Sequence, residues 1–280
     1  MQLHIETRHA HHPEMTQVLR TEDLRRHFLI DPVFTPGEIT LVYSHLDRMV
    51  TGGITPLADP LVLGTPKAVG TLSFLLRREI GIINVGGPGR VRRGGTTYDL
   101  EKRDGLYLGL GPDEVSFESA NAQNPAHFFV VSTPAHRACP AVKITAADAA
   151  ILNLGDQSTA NKRRVVQYVH PDVCQSCQLV MGITTLEPGN VWNTMPSHTH
   201  DRRSEVYLYF DLAAATRIFH MMGEPTQTRH IVMANEQAVL SPPWSIHSGV
   251  GTSNYSFIWA MGGDYQYYRD MDAIPMDVLR

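Results

Sequence analysis

From residue 36 onward, short apolar runs alternate with clusters of turn-forming residues. The first half carries ITLVYSHL, GTLSFLL, IGIINVGG, DGLYLGLG and HFFVVSTP; the second carries RRVVQYV, CQLVMGITTL, EVYLYFDL, TRIFHMM, HIVMANEQAVL and YSFIWAMGG. Runs rich in Val, Ile, Tyr, Phe and Thr, bounded by Gly, Pro, Asn and Asp, predict many short antiparallel strands closed into a sandwich or barrel. Two segments read as short helices. TEDLRRHFL at 21–29 starts with a capping Thr21, continues with acids, and sets Leu24, Phe28 and Leu29 on one stripe. TAADAA at 145–150 reads as a second, capped helix inside a polar connector. The predicted fold class is all-β, with two barrels in tandem and a few short helices. The divisions are an N-terminal arm and helix at 1–35, a first barrel at 36–140, a linker at 141–162 and a second barrel at 163–280.

The halves also read as a duplication. DGLYLGLGPDEV (104–115) lies on EQAVLSPPWSIH (236–247) without a gap, and RRE at 77–79 matches RRSE at 202–205 ahead of a similar strand. In this overlay Leu72 and Phe74 stand where His198 and His200 stand, and Val115 where His247 stands. The expectation is a first barrel without metal and with an apolar interior.

Bulk properties narrow the function. Hydrophobic residues make up 42% and charged residues 19% of 280 positions, a composition able to bury a real core. Lys and Arg total 24 against 28 acids, for a net charge of −4, which argues against a nucleic-acid surface. No apolar run approaches the roughly 18 residues that a membrane-spanning helix requires. MQLHIETRHAHHPEM has no apolar secretory segment, so the expected location is cytoplasmic. Cys139, Cys174 and Cys177 are too few for a disulfide framework, and CQSC at 174–177 reads as a strand edge rather than a metal knuckle. His9, His11 and His12 belong to a loosely docked arm. GGPGRVRRGG at 86–95 has no GK[ST] ending and reads as a hairpin, with Arg90, Arg92 and Arg93 on an exposed sheet edge.

The chemistry concentrates in PGNVWNTMPSHTHDRRSEVYLYFDL at 188–212. His198 and His200, two apart, share one face of an extended strand. The turn-like DRRS lets the chain reverse and return Glu205 to that face, and His247 arrives later in PPWSIHSGVG. Three imidazoles and one carboxylate form a mixed nitrogen and oxygen set suited to Zn, Mn, Fe or Ni. Arg163 and Arg229 are the preferred partners for an anionic substrate, because an arginine fork matches a carboxylate. Arg202 and Arg203, in the turn, read as solvated, and Trp192 and Trp244 read as core packing.

HTH-DRRS-E followed by Pro242, Trp244 and His247 resembles the two motifs of the cupin superfamily, with Trp244 standing where the motif has Gly and Leu212 where it closes on Gly. LVYSHLDRMVTGGITP, FLLRREIGIINVGG, VWNTMPSHTHDRRSEVYLYF, FHMMGEPTQTRHIVMANEQAVLSPPWSIHSGVGT and the ending MDVLR make almost the whole chain similar to the 5-keto-4-deoxyuronate isomerases. That resemblance implies a cytoplasmic, hexameric bicupin with zinc on His198, His200, Glu205 and His247. It also implies the conversion of 5-dehydro-4-deoxy-D-glucuronate to 3-deoxy-D-glycero-2,5-hexodiulosonate, a ketol isomerisation in polyuronate breakdown. Such a reaction needs a stabilised enediolate and a proton shuttle. Glu236, His230 and Tyr207 are the sequence candidates for the shuttle, and a hydride shift would need none. Two alternatives share the ligand set: an iron-dependent cupin dioxygenase and a non-catalytic sugar-acid-binding cupin.

Overall fold

The computed structural model describes residues 3–280. Two barrels, each a seven-stranded sheet facing a four-stranded one, follow each other along the chain. In the first, the large sheet runs in spatial order Leu3–Arg8, Ile39–Ser44, Val50–Ile54, Phe128–Pro134, Arg78–Asn84, Gly105–Leu108 and Val142–Ile144. The small sheet is Leu61–Val62, Val115–Ser119, Gly89–Arg93 and Thr96–Leu100. The second barrel repeats this plan. Its large sheet is Ala150–Leu154, Arg163–Val169, Val180–Leu186, Ser256–Gly263, Arg203–Phe210, Gln237–Ser241 and Leu29–Ile30; its small sheet is Trp192–Asn193, Ser248–Gly251, Ile218–Met222 and Arg229–Met233.

Strand alternation divides the apolar residues into three cores. Ile80, Ile82, Leu106, Leu108, Phe128 and Val130 fill the first barrel. Tyr207, Tyr209, Val239, Phe257, Trp259 and Met261 fill the second. The opposite faces of the two large sheets meet in the third core, where Ile83, Phe129 and Val131 pack with Val206, Leu208, Ile258 and Ala260. Every residue of Arg203–Phe210 is therefore buried, one face in its barrel and the other against the neighbouring barrel.

A buried carboxylate ties the barrels together. Glu79 Oε1 accepts from Thr133 Oγ1 (3.0 Å) and from the backbone N–H groups of Gln178 and Leu179 (2.9 Å each). Its Oε2 accepts from Tyr107 Oη (2.7 Å) and the Cys177 N–H (2.6 Å). The acid comes from the first barrel and three of its donors come from the loop that enters the second. Five donors compensate the burial of one charge.

Several sequence expectations change. The duplication is present in the topology, but the ungapped overlay is out by one residue. It places Leu106 and Leu108, inside the first barrel, on Ala238 and Leu240, which face the other barrel. A one-residue slip exchanges the faces of a strand. Leu72, laid on His198, is 97% exposed. GTLSFLL is a series of turns instead of a strand: Leu76 N–H bonds to Ser73 O, Arg78 N–H to Leu75 O, and Phe74 and Leu75 plug the first core. TAADAA forms one turn, closed by Thr145 on Asp148, because the chain must re-enter a sheet at Ala150. The helix Thr21–Phe28 is present, but its N-cap is Arg20, without a side-chain cap bond. CQSC lies in a buried loop ahead of Val180–Leu186, with both thiols free. Arg90, Arg92 and Arg93 sit on a strand with neighbours on both sides, Arg90 against Asp99 and Arg92 against Glu118.

Residues 3–30 serve both barrels. Leu3–Arg8 pairs in parallel with Ile39–Ser44 of the first. Leu24 and Phe28 enter the core of the second, and Leu29–Ile30 closes the edge of its large sheet against Ala238 and Val239.

Candidate metal centre

Four side chains converge inside the second barrel. His198 leaves the short strand His198–Thr199, which pairs with Asp272–Ala273 near the C-terminus. The chain then turns at Asp201–Arg202, closed by the Arg203 N–H on His200 O (3.3 Å), and enters Arg203–Phe210 with Glu205 facing inward. The turn after Gln237–Ser241 brings in His247, and Pro243 O accepts the His200 N–H (3.0 Å), tying the two histidine-bearing segments together. His200, Glu205 and His247 are at most 4% exposed.

Their donor atoms lie within 4.8 Å of one another. Nε2 of His198 is 3.1 Å from Nε2 of His200 and 2.9 Å from Nε2 of His247. Glu205 Oε2 is 3.1 Å from Nε2 of His200 and 2.8 Å from Nε2 of His247. Such separations suit donors held about 2.1 Å from one shared cation. The tautomers point the same way. His200 Nδ1 lies 2.6 Å from the Asp270 carbonyl, which can only accept, so the proton is on Nδ1. Burial lowers the His200 pKa, and the neutral ring then presents a bare Nε2 lone pair to the Glu205 carboxylate. Two facing acceptors repel unless a cation stands between them, so the residues fit a divalent metal.

The electrostatics agree. Burial, and then the neighbouring His247 and His200, lower His198 to about 2. Burial raises the Glu205 carboxyl, but the facing His247 and His200 outweigh it and hold the group ionised. His198, His200 and Glu205 are therefore held in the protonation states that bind metal.

A cavity of about 690 Å³ opens onto His198, His200 and Glu205. Tyr207, Phe257, Trp259, Tyr268, Leu152 and Leu154 give it apolar walls, and Arg163 and Arg269 bring the positive charge. Gly182 makes room for one wall, because a Cβ there would collide with the Trp259 ring. Trp259 Nε1 donates to Thr184 Oγ1 (3.1 Å), which fixes the indole.

The structure sorts the sequence candidates. His198, His200, Glu205 and His247 come together, and Tyr207 and Arg163 reach the same cavity. Glu236, His230 and Arg229 do not. Glu236 pairs with His127 Nδ1 (3.0 Å) beside a different, smaller cavity. His230 is exposed on the outer face of Arg229–Met233, where strand alternation places it with Val232. Arg229 spends its guanidinium on the carbonyls of Thr16 (2.7 Å) and Leu19 (2.6 Å), pinning the N-terminal segment to the barrel. Neither Trp192 nor Trp244 lines the cavity, and Trp244 packs on the core. Arg203, read as a solvated turn residue, is 2% exposed and binds three carbonyls of the 267–270 segment. Sequence reading passed over Trp259, Asp270 and Arg269. The aromatic and charged DYQYYRDMD at 264–272, which neither sheet can absorb, was the available signal.

A family model described as KduI/IolB matches residues 34–274. The chain is 53% identical over 276 residues to the 4-deoxy-L-threo-5-hexosulose-uronate ketol-isomerase of Bacillus pumilus, covering 99% of this chain and 100% of the relative. It is 52% identical over 280 residues to ketol-isomerase 1 of Rhizobium meliloti, with both chains covered in full. Among solved structures, an IolB-like protein from Salmonella typhimurium is similar with a TM-score of 0.70 at 14% identity, over 88% of this chain and 96% of that one. Bacillus subtilis oxalate decarboxylase shares the fold with a TM-score of 0.54 at 10% identity, over 80% of this chain and 71% of the other.

Proposed function

The chain belongs to the KduI/IolB family, and from that membership we propose that it is the ketol-isomerase that converts 5-dehydro-4-deoxy-D-glucuronate to 3-deoxy-D-glycero-2,5-hexodiulosonate in polyuronate breakdown. One observation carries the reading. A converging set of three imidazoles and one carboxylate opens onto a cavity that also holds arginine. The volume suits a six-carbon acid with room for ordered water.

His198, His200, Glu205 and His247 hold the ion. Zinc is our assignment, on the family resemblance and on a donor set of three nitrogens and one oxygen; manganese, iron and nickel accept the same set. When bound, a divalent ion supplies Lewis acidity beside the substrate's carbonyl and hydroxyl oxygens. The protein's own groups do the rest. The Asp270 carbonyl holds the His200 ring in its tautomer. Trp259, Phe257 and Tyr268 exclude water from the face where the enediolate develops, which strengthens every charge interaction there. Tyr207 is the one sequence-nominated proton shuttle that reaches the cavity. Burial pushes its pKa well above the usual phenol range, so it acts as a hydrogen donor and not as a base. Arg163, a sequence candidate for the substrate's acid end, lines the same cavity and adds positive charge to it.

Two further assignments complete the proposal. We assign a hexamer, supported by the family resemblance and by Ile151, Leu152 and Leu154, large aliphatic residues 37–40% exposed on an edge strand. We assign the cytoplasm, supported by three unpaired thiols. No helix of the described residues is long and apolar enough to cross a membrane.

Turnover of the uronate by purified protein, as isolated, after chelation, and with zinc or manganese restored, tests the reaction. Activity lost on chelation and regained with metal is the expected result. No turnover in any metal state would remove the substrate assignment.

A further inference from the structure

We propose that Arg269 is a substrate-carboxylate receptor, held in position from below by the buried Arg203. The inference rests on the isomerase reading above and names a residue that decides its preference for acids. Arg269 lines the cavity, and among the described residues its guanidinium has no ion-pair or hydrogen-bond partner. Arg163, the other cavity arginine, already spends a donor on Asn161 O (2.9 Å). The basic residues around it are also committed: Arg202 to Asp270 and Asp272, and Arg203 to backbone. An exposed arginine at the cavity, with only the charge of His170 noted beside it, has its planar fork available for the two parallel hydrogen bonds that a carboxylate takes up.

The backbone around Arg269 is fixed on both sides. Arg203 donates to Tyr267 O, to Tyr268 O (2.9 Å) and to Asp270 O (2.8 Å). On the outer face, Arg202 Nε donates to Asp270 Oδ1 (2.6 Å). The Asp270 carbonyl that Arg203 grips also takes the His200 Nδ1 proton. One buried guanidinium thus sets the place of the substrate's acid end and the orientation of a metal ligand together. In the proposed reaction the aldehyde end of the substrate belongs at the ligands and the C6 carboxylate at the far end of the chain. A cation on the wall segment, and not among the ligands, meets that requirement.

The test uses the full-length, metal-loaded protein with Arg269→Ala and Arg269→Lys. For the Ala variant the expected result is a rise in KM for the uronate of about tenfold to a hundredfold, with kcat and metal content little changed. The Lys variant should recover only part of the loss. The C6 amide of the substrate should show no further rise in KM on Arg269→Ala. In a double-mutant comparison, Arg203→Lys should raise KM in the wild-type background and add little in Arg269→Ala, which a purely structural role would not produce. A KM within twofold of wild type for Arg269→Ala, or an equal rise for acid and amide, would overturn the proposal. Calorimetric binding of D-glucuronate separates the two readings. If wild type turns nothing over yet Arg269→Ala still weakens glucuronate binding about tenfold, the reaction assignment fails and the receptor stands. If wild type is active and glucuronate binds both proteins equally, the receptor fails alone.

Discussion

The two barrels share one strand plan and differ in what they enclose. Inside the first, Ile80 and Ile82 line the central strand, with Leu106, Leu108, Phe128 and Val130 around them. Inside the second, the matching central strand offers Glu205, Tyr207 and Tyr209, with His220 and His247 opposite. The topology is therefore indifferent to its filling, and stability and chemistry are divided between the halves. The apolar barrel gains from burial alone. The other must hold a carboxylate and several imidazoles out of water, which costs free energy until a cation and hydrogen bonds compensate it.

The sharpest way to break the contrast is Glu205→Gln, which removes the charge and keeps the shape. Turnover should fall by about a thousandfold or more, with metal lost from the purified protein, as atomic emission and rate assays will read. Retained metal and activity would remove the charge argument for the site. Next comes the opposite experiment, Ile82→Ala in the first barrel. A cavity in a close-packed apolar interior should cost about 2–5 kcal/mol in denaturant unfolding, with metal content and kcat per folded molecule unchanged. A loss of metal affinity there would show that the halves are not divided as described. The smallest effect is in pH. His220 is fully buried, bonded to Tyr209 Oη (2.9 Å), and burial and the nearby His247 lower it to about 3. A depressed folded pKa means that the unfolded chain takes the proton first. The stability held above the unfolded value of about 6.5 is thus lost progressively as pH falls towards 3. The loss should reach about 2 kcal/mol at pH 5, and His220→Gln should flatten that part of the stability profile between pH 6.5 and 4. An unchanged profile would place the acid sensitivity elsewhere.

Much of this contrast was legible in the sequence. The strand runs predicted the class, and HTH-DRRS-E with the later His predicted which four side chains converge, because a spacing of two on a strand is a geometric statement. What stayed hidden depended on parity or on distant closure. In HIVM, Ile231 and Val232 are both apolar, so nothing in the text tells which face His230 shares. GTLSFLL has strand composition, but no neighbouring strand was available to it, and burial of Phe74 and Leu75 decided its shape. The overlay of the halves slipped by one residue because aliphatic strands tolerate either register. Arg203 and Arg269 gained their places only when the 264–272 segment folded back over the barrel mouth, a contact that no local pattern encodes.

The double service of residues 3–30 has a consequence in time. A ribosome makes residues 16–30 some two hundred positions before their partners, yet Leu29 pairs with Val239, and Thr16 and Leu19 wait for Arg229. The earlier segment is thus seated only after the later one exists, and until the two meet the second barrel keeps an open edge.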